Sequence, residues 1–564
     1  MVVMIKYPDD YNPIQEYWEQ MESGEVVVCK KLRETFRKVI QDMNSKVTMY
    51  YYSHARANHV IEFIENFCKH SKGKMAGKPV ILELWEKAIL ATIFGFIDIE
   101  GNRKYHESVL IVAKKNGKSL IASCVGLYMM IGDGEGGPEI YAVATKKDQA
   151  KIIWSEAKRM VKKSPALAKR IKPLVAEMTS EDFNDGVFKP VASDSDTLDG
   201  LNVHCVLMDE IHQWKNGKAL YDIMHDGTTA REQPLTFITS TAGTVRGDIY
   251  DQKYEEAENI INGYGDDNGI KDEHFIAFIY EIDSREEWRN PNCWQKANPG
   301  LGTIKNLKQL AHKVEKAKSN PMLVKNLLCK EFNIRETSDE AWLTFDQIKN
   351  EAKFNVSELK PRYGIGGVDL SSTTDLTNAT VIFKIPNDEM TYVLQMYWLP
   401  EDLLEKRVEE DKIPYDLWRD LGLLRTVPGN KIHHTHVTQW FLEVQNELNI
   451  YIPWIGYDSW SAQYWVEEMK NTFGAESMIA IPQTAKELNG PLETLETDLD
   501  AKRVNYNNNP ILKWCLSNTS ISERGGKRQP AKGRSQRKRI DGTAGLLDAY
   551  AALEKRYDEY MNLI

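Results

Sequence analysis

The amino-acid sequence predicts an α/β protein with two successive domains, the first of which has a parallel-rich central sheet. Three observations lead to this fold class. From about residue 79, short apolar runs of strand length alternate with amphipathic helical segments, a pattern typical of a buried parallel sheet. A polar stretch, 336–342, interrupts the alternation, and a second α/β region begins near Tyr363. The length of 564 residues is enough for about two to four domains.

The candidate strands and helices divide the chain into four regions. The predicted strands are 109–113, 139–145, 203–210 and 235–241 in the first half, and 363–370, 377–385, 390–399 and 450–458 in the second. Helices are expected from residue 118, after residue 145, over 305–335 and over 541–561. The predicted regions are an N-terminal helical region (1–75), a first α/β domain (76–335), a linker (336–360) and a second α/β domain (361–564).

Composition excludes several classes of protein. The seven cysteines form no CxxC pair, which argues against a disulfide framework and a zinc site. No apolar run of about 18 residues and no secretory signal is present, so we expect neither a membrane span nor export. The net charge of −10 argues against general nucleic-acid binding, but residues 524–539 carry eight Lys and Arg residues and no acid. That run is either a solvated loop or a loop that binds phosphate.

One strand-to-helix turn has the features of a phosphate-binding loop. Asn116, Gly117, Lys118 and Ser119 follow a predicted strand and open a helix, where backbone N–H groups can cradle phosphates. Lys118 would reach the β- and γ-phosphates, and Ser119 would bind Mg²⁺. The full Walker A pattern has a glycine where this chain has Val112. The short motif therefore needs support from a second part of the same site.

A pair of acids at the end of another strand supplies that support. Asp209 and Glu210 end the apolar run 203–210, as in a Walker B motif. Asp209 would hold Mg²⁺, and Glu210 would orient or deprotonate the attacking water. The alternative is an acidic pair that caps the next helix. The segment 237–244 brings small polar residues to the end of a further strand, where they form either a γ-phosphate sensor or a simple turn.

The second α/β region carries acids at the ends of its predicted elements. Asp369 and Asp458 end strands, and Asp541 begins the C-terminal helix. Two-metal cleavage of phosphodiesters requires carboxylates that converge on a pair of hard cations. Asp548 lies two turns after Asp541 on the same helix face, and Asp375 is a further candidate. Each acid by itself could equally be a helix cap or a turn residue.

In this order, the motifs resemble the large-subunit family of tailed-phage terminases. The resemblance covers about residues 80–555, and it also includes the segments 196–202 and 294–302. Because that family usually lacks the first loop glycine, Val112 fits it. The resemblance implies an N-terminal P-loop ATPase with a parallel-rich central sheet and a C-terminal RNase H-like nuclease domain.

The family pattern also implies roles for particular residues. The implied nucleotide-binding residues are Trp85, Lys114, Lys115, Asn116, Gly117, Lys118 and Ser119. Glu86 follows Trp85 where the family has glutamine in its adenine contact. The implied arginine finger stays open among Lys114, Lys115, Arg231 and Arg246. The implied nuclease metal ligands are Asp369, Asp458 and Asp541, with Asp548 as either a further ligand or a supporting group. The implied DNA-binding residues are Lys527, Arg528, Arg534 and Arg537.

The activity implied by the resemblance is ATP-driven translocation of viral double-stranded DNA into a procapsid, with metal-dependent cleavage of concatemeric DNA. The implied cofactors are ATP with Mg²⁺ and two divalent ions, Mg²⁺ or Mn²⁺, in the nuclease site. The implied partners are DNA, a small terminase subunit and the portal protein, in the host cell cytoplasm. We expect a ring during packaging and a monomer in isolation. The alternatives are a helicase or repair-type ATPase fused to a nuclease, and a non-enzymatic scaffold protein.

Overall fold

The computed structural model describes most of the chain and divides it into two compact units, Met1–Arg335 and Glu336–Ile564. The described residues are 4–45, 49–182, 185–192, 200–214, 217–243, 248–264, 269–320, 323–336, 341–370, 376–411, 413–459, 463–532 and 539–564. Within these ranges, no helix is both long enough and apolar enough to span a membrane.

The first unit alternates helices and strands along most of its length. Its described elements are α1 (Pro13–Ser23), α2 (Lys30–Asn44), β1 (Tyr51–Tyr52), α3 (His54–Phe67), α4 (Leu84–Gly95), β2 (Phe96–Ile97), β3 (Glu107–Ile111), α5 (Lys118–Ile131), β4 (Glu139–Ala144), α6 (Lys147–Lys163), α7 (Pro165–Arg170), β5 (Lys172–Pro173), β6 (Met178–Ser180), β7 (Gly186–Ala192), β8 (Cys205–Asp209), α8 (Gly217–Asp226), β9 (Leu235–Ser240), α9 (Ile249–Asn262), β10 (Phe275–Ile279), α10 (Leu307–Ser319) and α11 (Val324–Phe332).

The main sheet of the first unit is parallel over most of its width. Its described strands run in the order β10-β3-β9-β8-β4-β7-β6-β5, and those from β10 to β7 are parallel. Strands β6 and β5 add an antiparallel edge. Leu110 of β3 packs into the core on one face, and Val109 and Ile111 pack into the core on the other. Apolar side chains on both faces explain why these strands read as continuous hydrophobic runs.

The N-terminal helices belong to this unit. Ile14, Leu32 and Ile61, from α1, α2 and α3, are fully buried in the same core cluster as the sheet and helix α5. The sequence predicts residues 1–75 as a region of their own, but they belong to the first unit and their apolar side chains share a core with its main sheet. They are mostly helical, as the sequence predicts.

The second unit is built on a mixed sheet. Its described elements are α12 (Phe345–Ile348), α13 (Val356–Leu359), β11 (Tyr363–Asp369), β12 (Thr377–Phe383), β13 (Thr391–Pro400), α14 (Leu404–Asp411), α15 (Tyr415–Asp420), β14 (Leu424–Val427), α16 (Thr435–Glu447), β15 (Tyr451–Asp458), α17 (Gln463–Phe473), β16 (Met478–Ile481), α18 (Ala485–Asp500), β17 (Val504–Asn505), α19 (Pro510–Asn518), β18 (Ser520–Arg524), β19 (Lys527–Ala531), α20 (Asp541–Lys555) and α21 (Tyr557–Met561).

In this sheet the described strands run in the order β14-β13-β12-β11-β15-β16, with β17 beside β13. Strand β12 is antiparallel to both neighbours, whereas β11, β15 and β16 are parallel to one another. Helix α20 packs across one face of the sheet, and β18 and β19 form a separate hairpin. The parallel strands bring their carboxyl ends, and the acids found there, to one edge.

The segment predicted to be a linker is part of the second unit. Leu343 and Ile348 are fully buried, and the backbone N–H of Trp342 donates to the carbonyl of Thr519 at 2.7 Å. The Tyr506 hydroxyl donates to the carbonyl of Ile348. The polar residues at 337–340, which suggested a linker, lie outside the described residues, but residues 341–360 pack within this unit.

Candidate functional site

The phosphate-binding loop connects β3 to α5 through two residues in the left-handed backbone region. Lys115 has φ of 71° and Gly117 has φ of 87°. Gly117 tolerates that conformation because it has no Cβ, and it stands at the N-terminus of α5. The free N–H groups of the first helical turn therefore follow the loop directly, which is the arrangement that binds phosphate.

Lys118 is buried and faces the catalytic acids. Its ammonium donates to the carbonyl of Val112 at 3.1 Å and lies 3.4 Å from Oε1 of Glu210. Burial lowers the pKa of Lys118, and the charge of Glu210 opposes this effect. Only 6% of the side chain is exposed, so a phosphate that reached it would meet a cation shielded from water.

The two predicted Mg²⁺ ligands lie side by side. The Ser119 hydroxyl donates to Oδ2 of Asp209 at 2.7 Å, and Thr239 donates to Oδ1 at 2.8 Å. Burial raises the pKa of Asp209, the charge of Glu210 adds to this, and the two hydroxyl hydrogen bonds oppose it. Hydroxyl and carboxylate oxygens are the ligands that Mg²⁺ prefers, so the residues present suit this ion.

Glu210 is held by three partners, one on Oε1 and two on Oε2. Its Oε1 faces Lys118, and its Oε2 lies 3.0 Å from Nδ1 of His212 and accepts from the Thr241 hydroxyl at 3.3 Å. Burial would raise the pKa of Glu210, but the hydrogen bond from His212 and the charge of Lys118 lower it to about 2. The backbone of Glu210 has φ of 52°, a sparsely populated conformation that persists at sites over-determined by their surroundings.

The loop is also tied to the segment 294–302. The Asn116 side chain donates to the carbonyl of Ala113 at 2.9 Å and to Oδ1 of Asn298 at 3.1 Å. The backbone N–H of Gly300 donates back to Asn116 at 3.2 Å. Lys305 donates to the same Asn298 oxygen and pairs with Glu331 at 2.7 Å. These bonds give Asn116 a structural place in the loop and link the loop to helix α11.

Of the two residues at the predicted adenine contact, Trp85 lies in the core and Glu86 lies near the phosphate loop. Trp85 is 3% exposed and packs edge-on against Tyr280 in the core. Glu86 is closer to the loop, because a Cβ built on Gly117 would lie 3.3 Å from its Oε1. Burial raises the pKa of Glu86 to about 8. The acid that replaces glutamine is therefore an uncharged carboxyl group at neutral pH.

Among the candidates for the arginine finger, Arg231 has its guanidinium engaged by other groups of the protein. Arg231 pairs with Glu135 at 2.9 Å and donates to the carbonyls of Gly136, Gly137 and Asn202. These residues precede β4 and β8, so Arg231 lies at the sheet edge opposite the loop. Lys115 is exposed, and Lys114 donates through its backbone N–H to the carbonyl of Lys330 at 3.0 Å.

Arg246 lies outside the described residues, as do Asp375, Arg534 and Arg537.

In the second unit, Asp369 and Asp458 end neighbouring parallel strands. Gly367 pairs with Gly456 and Val368 with Tyr457, so the two acids follow at the next position. A Cβ on Gly367 or Gly456 would lie 2.2 Å from the backbone of α20, which shows that both glycines face this helix. Side chains alternate along a strand, and the two carboxylates therefore point to the α20 face.

Helix α20 adds two buried acids to that face. Burial raises the pKa of the Cys515 thiol, and the charges of Asp541 and Asp369 contribute to this, so both carboxylates lie near that thiol. Asp548 accepts from the Gln483 amide at 2.8 Å. Burial raises the pKa of Asp548 well above its usual value, and the charge of Asp458 adds to the shift.

The charges of Asp541 and Asp369 thus act on Cys515, and the charge of Asp458 acts on Asp548. Among the described residues, no group of three or more His, Cys, Asp or Glu side chains is close enough to hold a metal ion. Asp369 and Asp458 end strands and Asp541 begins α20, as the sequence predicts, and their joint binding of metal stays a prediction. Carboxylate oxygens are nevertheless the donors that Mg²⁺ and Mn²⁺ prefer.

The basic segment contributes one free cation and one engaged cation among its described DNA-binding candidates. Lys527 lines a cavity of about 460 Å³ between α18, β19 and α20, together with Lys486, Lys555, Glu487 and Glu554. Arg528 pairs with Glu496 at 2.9 Å and lies 3.7 Å from Glu493. Arg528 therefore fastens the hairpin to α18.

Sequence reasoning missed three residues that touch the site residues. His212 contacts Glu210, Asn298 contacts Asn116 and Gln483 contacts Asp548. His212 follows the acid pair by two positions, so an inspection of the 209–212 sequence could have identified it. The other two depend on contacts across 182 and 65 residues, for which the local sequence carries no signal.

The fold and the two acid-bearing sites define a class of protein: a P-loop nucleotide hydrolase joined to a carboxylate nuclease. Residues 84–259 match the family model for the terminase large subunit, ATPase domain. Residues 269–556 match the model for the terminase large subunit, endonuclease domain. The chain belongs to the terminase large-subunit family and carries its ATPase and endonuclease activities. The matches to both terminase models set aside the helicase or repair-type ATPase fused to a nuclease and the scaffold protein.

Two curated proteins and one solved structure are similar to this chain. The large terminase subunit of Enterobacteria phage HK97 is 26% identical over 498 residues, which cover 87% of this chain and 94% of that protein. Protein YmfN of Escherichia coli K12 is 25% identical over 369 residues, or 62% of this chain and 77% of that protein. The crystal structure of the HK97 bacteriophage large terminase gives a TM-score of 0.47 at 24% identity, covering 88% of this chain and 99% of that chain.

Proposed function

We propose that hydrolysis of ATP with Mg²⁺ in the first unit drives double-stranded viral DNA into a procapsid, and that the acids of the second unit cut concatemeric DNA. The observation that carries the first site is the 2.7 Å hydrogen bond between Ser119 and Asp209, which joins the phosphate loop to the strand-end acid. The observation that carries the nuclease site is the position of Asp369 and Asp458 at the ends of adjacent parallel strands.

In the ATPase site, each group has one task. Lys118 moves from Glu210 to the β- and γ-phosphates, while the loop N–H groups bind the same oxygens. Ser119 and Asp209 would hold Mg²⁺, which neutralises developing charge on the phosphates when bound. Glu210, ionised because the pKa is about 2, orients the attacking water and accepts its proton.

In the nuclease site, Asp369, Asp458 and Asp541 would hold two divalent ions, with Asp548 as a further ligand or a support. Bound Mg²⁺ or Mn²⁺ would activate water and stabilise the leaving oxygen. Gln483 orients Asp548 through its 2.8 Å hydrogen bond. Asp369 and Asp458 lie on strands whose register is set by backbone pairing, and this pre-positions them.

The DNA backbone is proposed to pass the hairpin beside the nuclease acids. Lys527, Arg534 and Arg537 supply phosphate contacts, whereas Arg528 is neutralised by Glu496. Changing Lys527, Arg534 and Arg537 together to alanine should weaken DNA binding and reduce the slope of log K against log salt by about 2–3. Arg528→Ala is the comparison and should change the slope less. An unchanged slope in the triple variant would count against this path.

The proposed partners are those that DNA packaging by a terminase large subunit requires. They are a small terminase subunit, which would select DNA, and the portal protein of the procapsid. The chain would work in the host cell cytoplasm as a ring on the portal and would be a monomer in isolation.

A reciprocal pair of variants tests the two sites. Glu210→Gln should lower DNA-stimulated ATP hydrolysis by at least about 100-fold and leave metal-dependent plasmid cleavage intact. Asp369→Asn should abolish cleavage and leave ATP hydrolysis intact. Each variant is the folding control for the other. Loss of both activities in either variant, or retention of the targeted activity, would contradict the assignment.

A further inference from the structure

His212 follows Glu210 by two residues, and its ring lies beside the carboxylate proposed to activate water. Its Nδ1 lies 3.0 Å from Oε2 of Glu210, 3.2 Å from the Ser240 hydroxyl and 3.4 Å from the Thr241 hydroxyl. Its backbone N–H also donates to Ser240 at 3.3 Å. One ring nitrogen thus joins the end of β8 to the end of β9.

The ring is held tightly enough to act as a support. The side chain is 10% exposed. A Cβ built on Gly243 would lie 3.0 Å from Cδ2 of the ring, so the glycine leaves just enough room for the imidazole. Tyr250 approaches edge-on, with ring centroids 6.3 Å apart. Movement of Glu210 toward solvent would require this packed ring to move as well.

The two oxygens of Glu210 have separate partners, and this separation matters when nucleotide binds. Lys118 faces Oε1 at 3.4 Å, and His212 faces Oε2 at 3.0 Å. Once Lys118 turns to the phosphates, Oε1 loses its partner and becomes free to accept a proton from water. Oε2 keeps its contacts with His212 and Thr241. A carboxylate without that anchor would sample several rotamers and lose alignment.

We propose that His212 is a positioning residue for ATP hydrolysis, which anchors Oε2 of Glu210 so that Oε1 faces the attacking water after Lys118 has moved to the phosphates. The inference rests on the proposed role of Glu210. His212 has no contact with the phosphate loop in the described residues, so its effect falls on the rate of the chemical step and not on nucleotide affinity.

The test uses the full chain with double-stranded DNA and compares steady-state ATP hydrolysis among variants. His212→Ala should lower kcat by about 10–100-fold, while KM and the affinity for ATPγS change by less than about twofold, since uniform binding is untouched. Intact ATPγS binding also reports that the first unit is folded. His212→Asn, whose amide nitrogen can replace Nδ1, should restore most of kcat. His225→Ala, a change to a histidine stacked on Tyr221 in α8, is the matched control.

A double-mutant cycle separates this role from a general structural one. If His212 acts through Glu210, adding His212→Ala to Glu210→Gln should cost no further activity. A normal kcat in His212→Ala, or an equal loss in both backgrounds, would overturn the proposal and leave the assignment of Glu210 standing. Normal hydrolysis by Glu210→Gln would overturn both.

Discussion

At the scale of single residues, the first unit buries charged groups around its phosphate loop, and their partners set their protonation. Glu86 has only a backbone donor, the N–H of Glu83 at 2.8 Å, and burial raises its pKa to about 8. Glu210 is also buried, which would raise its pKa, but the hydrogen bond from His212 and the charge of Lys118 lower it to about 2. The same side-chain type is thus neutral in one position and ionised in another.

Because the pKa of Glu86 is raised in the folded protein, the free energy of unfolding should decrease as the pH rises. The unfolded chain ionises this carboxyl near pH ~4.3, and the folded chain near pH 8. Between these values the native state binds more protons, so the free energy of unfolding decreases by up to about 1.4 kcal/mol per pH unit. Glu86→Gln removes this term. Its stability relative to the natural chain, from urea denaturation, should therefore rise between pH 5.5 and pH 8.5. A constant difference would contradict the expectation.

Substitutions at Lys118 and Glu210 should have different effects on nucleotide affinity and on the rate of ATP hydrolysis. Lys118→Ala removes the buried cation that meets the phosphates, so both ATPγS affinity and hydrolysis should fall. Glu210→Gln keeps that cation, so affinity should persist while hydrolysis falls by at least about 100-fold. Equilibrium binding and steady-state rates measure the two effects. Equal ATPγS affinity in the two variants would mean that Lys118 does not contact phosphate.

At the scale of elements, the nuclease site depends on how closely α20 approaches the sheet. Gly367 and Gly456 allow the helix backbone to lie directly on β11 and β15, because a Cβ at either position would come within 2.2 Å of it. That approach sets the height of Asp541 and Asp548 above the strand-end acids. Hairpin β18-β19 is fastened separately, through Arg528 and Glu496.

Adding one methyl group beneath α20 should therefore disable cleavage. Gly367→Ala or Gly456→Ala forces the helix backbone to shift, at a cost of about 1–3 kcal/mol or more. We expect loss of metal-dependent plasmid cleavage and a lower denaturation midpoint for the second unit, with basal ATP hydrolysis unchanged. Full cleavage by both variants would show that the helix position is not critical.

At the scale of the whole molecule, each unit has hydrophobic clusters of its own. One set surrounds the parallel sheet of the first unit, and another surrounds the mixed sheet of the second. Residues 341–360 contribute to the second unit through the buried side chains of Leu343 and Ile348. The extent of each unit is therefore set by packing and not by the motif positions.

Two fragments test this boundary. Residues 336–564 should fold alone and cut DNA in the presence of Mn²⁺ or Mg²⁺. Residues 361–564, which begin where the sequence predicts the domain, lack Leu343 and Ile348, each worth about 1.5–3 kcal/mol of burial. We expect this shorter fragment to unfold at lower urea concentration or fail to fold, as measured by circular dichroism. Equal stability of the two fragments would show that the segment is a linker after all.

The sequence by itself determined the fold class, the order of the two activities and the elements that carry the acids. These features are local: a strand, the loop that follows it and an acid at its end lie within about ten residues of one another. Parallel strands then bring their carboxyl ends to one edge. Asp209 at the end of β8, Asp369 at the end of β11 and Asp541 at the start of α20 are where the sequence predicts them.

Only the tertiary structure decided which side chains are engaged and with what. Arg231 donates to backbone carbonyls at the opposite edge of the sheet. Arg528 pairs with Glu496, and Trp85 is in the core. Asn116 meets Asn298 across 182 residues of chain. Such partners are chosen by packing between distant segments, because a buried charge or amide must find a hydrogen bond wherever the fold provides one. A local pattern carries no information about that choice.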